Sequence, residues 1–200
     1  MKKILLIASS IIATTFSANI FADSHMSSAD TDTWLGMPIH AMYAGVKGGY
    51  QDFKLDKGGY PVRQDHYFMN IHGGYLMHLD NGFAVGPQVG FSYYGGIKSN
   101  PLDLKINLYS INVYAVGRYK FEQYYLSGRL GAVYGMASGD GAKSSLLFAA
   151  GLGAGYFITK NFSAGITYDH IFGKSCNGVS SSEFKFPAIN AVGVTVDYHF

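Results

Sequence analysis

An alternation of period two, repeated segment after segment from Met42 to the last residue, Phe200, constrains this chain more than any other feature. Successive side chains of an extended strand point to opposite faces. Apolar residues alternating with polar or small ones therefore describe a sheet whose two faces meet different surroundings. Eight such segments can be read: Met42–Phe53, Asp65–His78, Phe83–Tyr94, Leu104–Tyr119, Tyr124–Gly135, Ser145–Ile158, Phe162–Ile171 and Ala188–Phe200. In the first, Met42, Ala44, Val46, Gly48 and Tyr50 oppose Tyr43, Gly45, Lys47, Gly49 and Gln51. In the last, Val192, Val194, Val196, Tyr198 and Phe200 oppose Ala191, Gly193, Thr195, Asp197 and His199.

Alternation alone fits a soluble barrel with its apolar face inward or a membrane barrel with that face outward. The connections favour the second. Those after the second, fourth and sixth segments are short: Asp80-Asn81-Gly82, Lys120–Gln123 and Thr159-Lys160-Asn161. Those after the first, third, fifth and seventh are longer and polar or Gly-rich: Lys54–Gln64, Gly95–Asp103, Met136–Ser144 and Phe172–Phe186. Short periplasmic turns and longer outer loops are the rule for outer-membrane barrels. In hydrocarbon every backbone donor and acceptor needs a protein partner, so a sheet must close on itself. The expected fold is all-β, a closed antiparallel up-and-down transmembrane β-barrel of about eight strands. Pro87 lacks a ladder donor and predicts a bulge or a missing bond in the third strand.

The N-terminus has the form of an export signal. Met1-Lys2-Lys3 is basic, Ile4 to Phe16 is apolar, and Ser17-Ala18-Asn19-Ile20-Phe21-Ala22 ends in a small residue. This divides the chain into a signal peptide over 1–22, a loose periplasmic segment over 23–41 and the barrel over 42–200. Trp34, in that segment, fits a position at the membrane boundary. Removing Lys2 and Lys3 from fifteen basic residues leaves thirteen against thirteen acidic ones, which argues against nucleic-acid binding by bulk charge. A mean hydropathy of +0.08 is too low for a bundle of membrane helices. Cys176 is the single cysteine, so no disulfide forms within the monomer, and it reads as a small loop residue.

The chain ends on Val194-Thr195-Val196-Asp197-Tyr198-His199-Phe200. This alternates to an aromatic terminus and resembles the C-terminal signal by which barrel-insertion machinery reads outer-membrane proteins, with Val196, Tyr198 and Phe200 as its apolar positions. Tyr43-Ala44-Gly45-Val46-Lys47-Gly48-Gly49-Tyr50, Gly90-Phe91-Ser92-Tyr93-Tyr94-Gly95 and Gly151-Leu152-Gly153-Ala154-Gly155-Tyr156 resemble the first, third and sixth strands of the small OmpA-like outer-membrane barrels, a group that includes the OmpX and opacity proteins. The resemblance implies residence in the outer membrane. No peptidoglycan-binding domain is expected after the barrel, and cell-wall tethering is not carried over.

The predicted inner faces carry Lys47, Arg118, Arg129, Asp169 and Asp197. An eight-stranded interior is just wide enough for side chains, so these five are expected to meet with opposite signs and fill the lumen as a plug. The alternative is a small, low-conductance, porin-like path. His72 and His78 share a face but lie about 20 Å apart along a strand, too far for one ion, so no metal is expected. Gly151, Gly153 and Gly155 lack a following helix and do not form a nucleotide loop, and no cofactor is expected. Lipid A deacylases of this barrel type carry a His-x-Ser pair. Here Ile171 and Phe172 follow His170, so catalysis is not expected. The outer loops hold Lys54, Lys57, Arg63, Lys98, Lys105, Lys143, Lys174 and Lys185, a slight positive excess. The expected function is structural and interactive at the cell surface, with outer-membrane lipids, lipopolysaccharide and host surface molecules as partners.

Overall fold

The computed structural model describes residues 40–56, 62–64, 66–79, 82–99, 104–138, 144–173, 176–177 and 186–200. The expected signal peptide and residues 23–39 of the following segment lie outside them. So do Trp34, Lys57, Lys143, Lys174 and Lys185.

Every described element is a strand except two short turns and a few linking residues. The strands are β1 (His40–Asp56), β2 (Val62–Gln64), β3 (Tyr67–His78), β4 (Phe83–Ser99), β5 (Leu104–Phe121), β6 (Tyr124–Ser138), β7 (Ser145–Phe157), β8 (Phe162–Phe172), β9 (Cys176–Asn177) and β10 (Ala188–His199). Each long strand pairs antiparallel with its neighbours in the sheet, and β10 pairs with β1, which closes the sheet into a barrel of eight strands. The two short strands decorate its rim: β2 pairs with the end of β4 and β9 with the end of β1. Cys176, read from the sequence as a small loop residue, lies in a two-residue strand opposite Leu55.

The register fixes the tilt. Stepping between hydrogen-bonded partners from Tyr43 through Gly74, Gln88, Tyr114, Gly131, Ala149, Ile171 and Ile189 returns to β1 at Phe53, ten residues further on. Ten residues of rise, ~33 Å, against a girth of eight spacings, ~38 Å, tilt the strands by roughly 40°. At that tilt each residue advances ~2.5 Å along the axis, so ~10 residues cross an apolar band ~25 Å tall. The 17 residues of β1 and β4 and the 18 of β5 therefore rise well beyond the bilayer. They do so at the end carrying the long connections. The expected loops at Gly95–Asp103 and Met136–Ser144 are thus shorter, because β4 continues to Ser99 and β6 to Ser138.

The apolar faces point outward. Val46, Met69, Leu130, Leu152, Ile166 and Val194 are each more than half exposed, while Lys47 and Asp197 are 8% and 2% exposed. A water-soluble barrel would show the reverse. A continuous apolar exterior of this kind is stable only against hydrocarbon. Aromatic rings stack across strands at both margins. One row runs through Phe83, Tyr119, Phe121, Tyr124 and Tyr156 with centroids 4.6–6.2 Å apart, beside the short turns. At the other margin Tyr67, Tyr93 and Tyr109 stack at 6.2 and 5.2 Å. These are interfacial girdles.

Local chemistry explains the irregularities. Pro87 introduces no bulge: the β3–β4 register is the same above and below it, but the pairs between Gly74–Gln88 and Met77–Val85 are missing. The bulge falls instead between Tyr93 and Gly96, where Gly95 has φ 75°. The carbonyl of Tyr94, displaced there, accepts a hydrogen bond from Gln51 Nε2. The turn expected over Lys120–Gln123 is only Glu122–Gln123, with Glu122 at φ 53°. A two-residue hairpin needs that left-handed conformation, which glycine adopts at less cost.

Candidate functional site: barrel lumen and outer rim

Three layers fill the barrel. The extracellular layer is apolar: Phe53, Leu108, Val133, Ile171, Phe186 and Ile189 are all buried and belong to one cluster. Phe186 and Pro187 lead into β10, which begins to pair at Ala188. The Phe186 ring lies over Gly135, where a Cβ would come within 2.5 Å of the ring, and edge-on to Tyr94 at 6.3 Å. The root of the longest outer connection is therefore tucked into the barrel mouth.

The middle layer is polar, and all five of the expected inner charges lie inside it. Asp169 on β8 receives Lys47 Nζ on Oδ2 at 2.5 Å and Arg129 Nε on Oδ1 at 2.6 Å. Asp197 on β10 faces Arg118 Nη2 at 3.5 Å and His72 Nε2 at 2.9 Å, and accepts from Thr195 Oγ1 at 3.0 Å. The alternation puts each of these on an inner face, and the tilt brings distant strands to one level. Glycines leave the room. A Cβ at Gly151 would overlap Asp169 and approach Arg129 Nε to 2.6 Å, and one at Gly45 would overlap Asp197 and approach His72 Nε2 to 2.9 Å. A ladder of amides and hydroxyls continues the network. Asn70 and Asn112 both donate to Ser92 Oγ, at 2.9 and 2.7 Å, and Ser110 donates to Asn112 at 2.7 Å.

The periplasmic layer is aromatic and cationic. Arg118, at the border with the polar layer, lies over the rings of Tyr43 at 5.4 Å and Tyr125 at 4.4 Å, and Lys120 Nζ lies over Phe157 at 4.6 Å. His199 meets Ser163 Oγ at 3.0 Å and packs beside Phe157. Val196, Tyr198 and Phe200 face outward, Tyr198 and Phe200 with rings 4.9 Å apart.

His72 is the inner residue whose role the sequence reading missed. It shares a face with Asn70, to which its Nδ1 is 2.9 Å, but its meeting with Asp197 depends on both pairing opposite Gly45 in β1. That register is set by a long connection and by barrel closure, neither of which the text of the sequence displays. Among the described residues no group of three or more His, Cys, Asp or Glu is placed to hold a metal ion. His170 lies on the outer face, its Nδ1 2.7 Å from Asn190 Oδ1, which also accepts from Tyr168 OH at 2.9 Å.

At the extracellular rim the pairing gathers basic residues. Arg63 of β2 stands opposite Lys98 of β4, and Lys98 stands opposite Lys105 of β5. Three cationic residues thus occupy neighbouring positions in one row across three strands. Like charges directly opposed on adjacent strands are destabilising.

The fold has solved counterparts. Ail, the attachment invasion locus protein of Yersinia pestis, is 15% identical, with a TM-score of 0.54 over 80% of this chain and 97% of that one. The same protein in complex with the heparin analogue sucrose octasulfate gives 16% identity and 0.52 over the same shares. The N-terminal β-barrel domain of Pseudomonas aeruginosa OprF gives 12% and 0.52, again over 80% and 97%. At these identities the likeness is one of fold. No curated protein sequence matches. The family model for the outer membrane protein beta-barrel domain matches residues 16–200. With the closed barrel and its outward apolar face, that match makes this chain a member of the outer membrane protein beta-barrel family, resident in the outer membrane.

Proposed function

We propose that this barrel is a surface-interaction protein whose outer rim binds polyanionic saccharides, the sulfated glycans of host surfaces and the phosphorylated sugars of lipopolysaccharide being the chemistry it suits. The Arg63–Lys98–Lys105 row carries this reading. Three cationic residues in register on neighbouring strands gather positive charge in one part of the rim, and a repeating polyanion can engage several at once. Ail, a barrel of the same fold, was solved with a heparin analogue, which supports the same ligand class here.

The lumen supports binding rather than transport. The buried apolar layer with Phe186 and the ion pairs of Asp169 and Asp197 lie inside the barrel at successive levels, which supports a plug more than a channel. His170 Nδ1 meets Asn190 Oδ1, which also accepts from Tyr168 OH, and the inner carboxylates are held by cations.

The test is retention of the refolded barrel on immobilised heparin. Wild type should elute at higher salt than an Arg63→Ser/Lys98→Ser/Lys105→Ser variant of equal heat-modifiable mobility. Equal elution of the two would reject the rim as the site. Planar-bilayer recording on the same sample should give no conductance above background.

A further inference from the structure

We propose that the lumen binds a small inorganic anion of the halide class, held by Arg118 and Arg129. Two observations lead there independently.

The first is a set of donors that no acceptor among the described residues reaches. Arg118 places only Nη2 on a carboxylate, at 3.5 Å, long for a charged pair. Its Nε and Nη1 are buried and have no hydrogen-bond partner among the described residues, and the same holds for Nη2 of Arg129, whose Nε is the atom on Asp169. The rings of Tyr43 and Tyr125 lie against the face of the Arg118 guanidinium. A ring there stabilises the charge but accepts nothing from N–H groups that point outward in the guanidinium plane. Arg118 is 6% exposed as a residue, so bulk solvent does not serve these atoms. A buried charged donor without an acceptor is among the costlier states a folded protein can hold.

The second is the charge count. Lys47, Arg118 and Arg129 face Asp169 and Asp197, three cations against two carboxylates, without counting the histidines. The remaining acids whose exposure is described, Asp52 and Glu122, are on the outside. Water would satisfy the donors and leave the surplus charge. An anion satisfies both, and in an interior of low dielectric the surplus is the larger effect. A halide suits the place because it accepts from several N–H groups without demanding a direction. The extracellular apolar layer shuts the site from outside, so the ion enters during folding or through the periplasmic mouth.

The test is to refold the barrel with sodium bromide as the only salt, crystallise it, and collect data at the bromine absorption edge. An anomalous peak is expected within hydrogen-bond reach of Arg118 Nε or Nη1 or of Arg129 Nη2, and it should vanish in Arg118→Met. A lumen without bromine in which these nitrogens meet only water would overturn the proposal, as would a peak that survives Arg118→Met unchanged. If that variant does not fold, wild type supplies the second reading. Replacing chloride by gluconate at equal ionic strength during refolding should lower the urea midpoint of the barrel, and an unchanged midpoint would count against the site.

Discussion

Replacing Asp169 by Asn removes one charge and almost no volume, and so isolates the electrostatics of the lumen. In the native barrel the two oxygens of Asp169 are divided between Lys47 and Arg129, and the three side chains are 9%, 7% and 10% exposed. The amide still fits and still accepts one hydrogen bond. What changes is that two buried cations lose their shared counter-charge. Breaking a buried pair by deleting one partner costs about 3–5 kcal/mol. With two cations stranded, the upper part of that range applies, reduced by whatever relief Lys47 obtains from the nearby amides and from Phe68, whose ring centroid is 5.8 Å away. The assay is urea unfolding of the barrel refolded into lipid vesicles, followed by the gel shift between heated and unheated samples. Asp169→Asn should unfold at clearly lower urea. Adding Lys47→Met should recover part of the loss, because the two residues are coupled. An Asp169→Asn barrel as stable as wild type would refute the claim that the network is held by charge. A double variant worse than the sum of its parts would refute the pairing.

Three other outcomes follow from the same structure. Val194→Arg, half-way along β10 on the lipid face, should destabilise the inserted barrel by about 2–4 kcal/mol, while the same change at the exposed interfacial residue Tyr198 should cost about 0–1 kcal/mol, both read by unfolding in vesicles. Phe186→Ala should cost about 3–5 kcal/mol through the cavity it leaves beneath the extracellular rim, and any current it opens in planar bilayers should favour anions, given the cationic lumen below. Glu122→Gly should stabilise by roughly 0.5–1 kcal/mol, since Glu122 holds φ 53° in a two-residue turn, and the urea midpoint measures it.

How far the sequence specifies this fold can be seen element by element. The alternation of Val192, Val194 and Val196 with Gly193, Thr195 and Asp197 marks a strand and its two faces directly, because side-chain direction has period two in any strand. Connection lengths likewise announce which ends carry turns. Strand ends are less visible. At Ser99, Ser138 and Phe121 the chain continues as strand past the point where alternation fades, because the hairpin partner supplies hydrogen bonds whatever the side chains are. The five inner charges are found from their faces alone. Their partners are not, since Asp197 meets Arg118 and His72 only through the ten-residue offset of the closed sheet, a global quantity. The Arg63–Lys98–Lys105 row is hidden for the same reason. Those residues appear in the sequence as separate loop cations, and only the pairing of β2 with β4 and of β4 with β5 aligns them.

The barrel's orientation of apolar and polar faces rests on which solvent each strand face meets, and nuclear Overhauser contacts in lipid nanodiscs measure that without altering the protein. With methyl groups labelled and lipid chains protonated, the methyls of Val46, Leu152, Ile166 and Val194 should show cross-peaks to acyl-chain protons, and those of Thr167 and Thr195 should show none. Acyl-chain contacts to the threonine methyls, with the valine and leucine methyls in contact only with one another, would turn the barrel inside out and contradict the account.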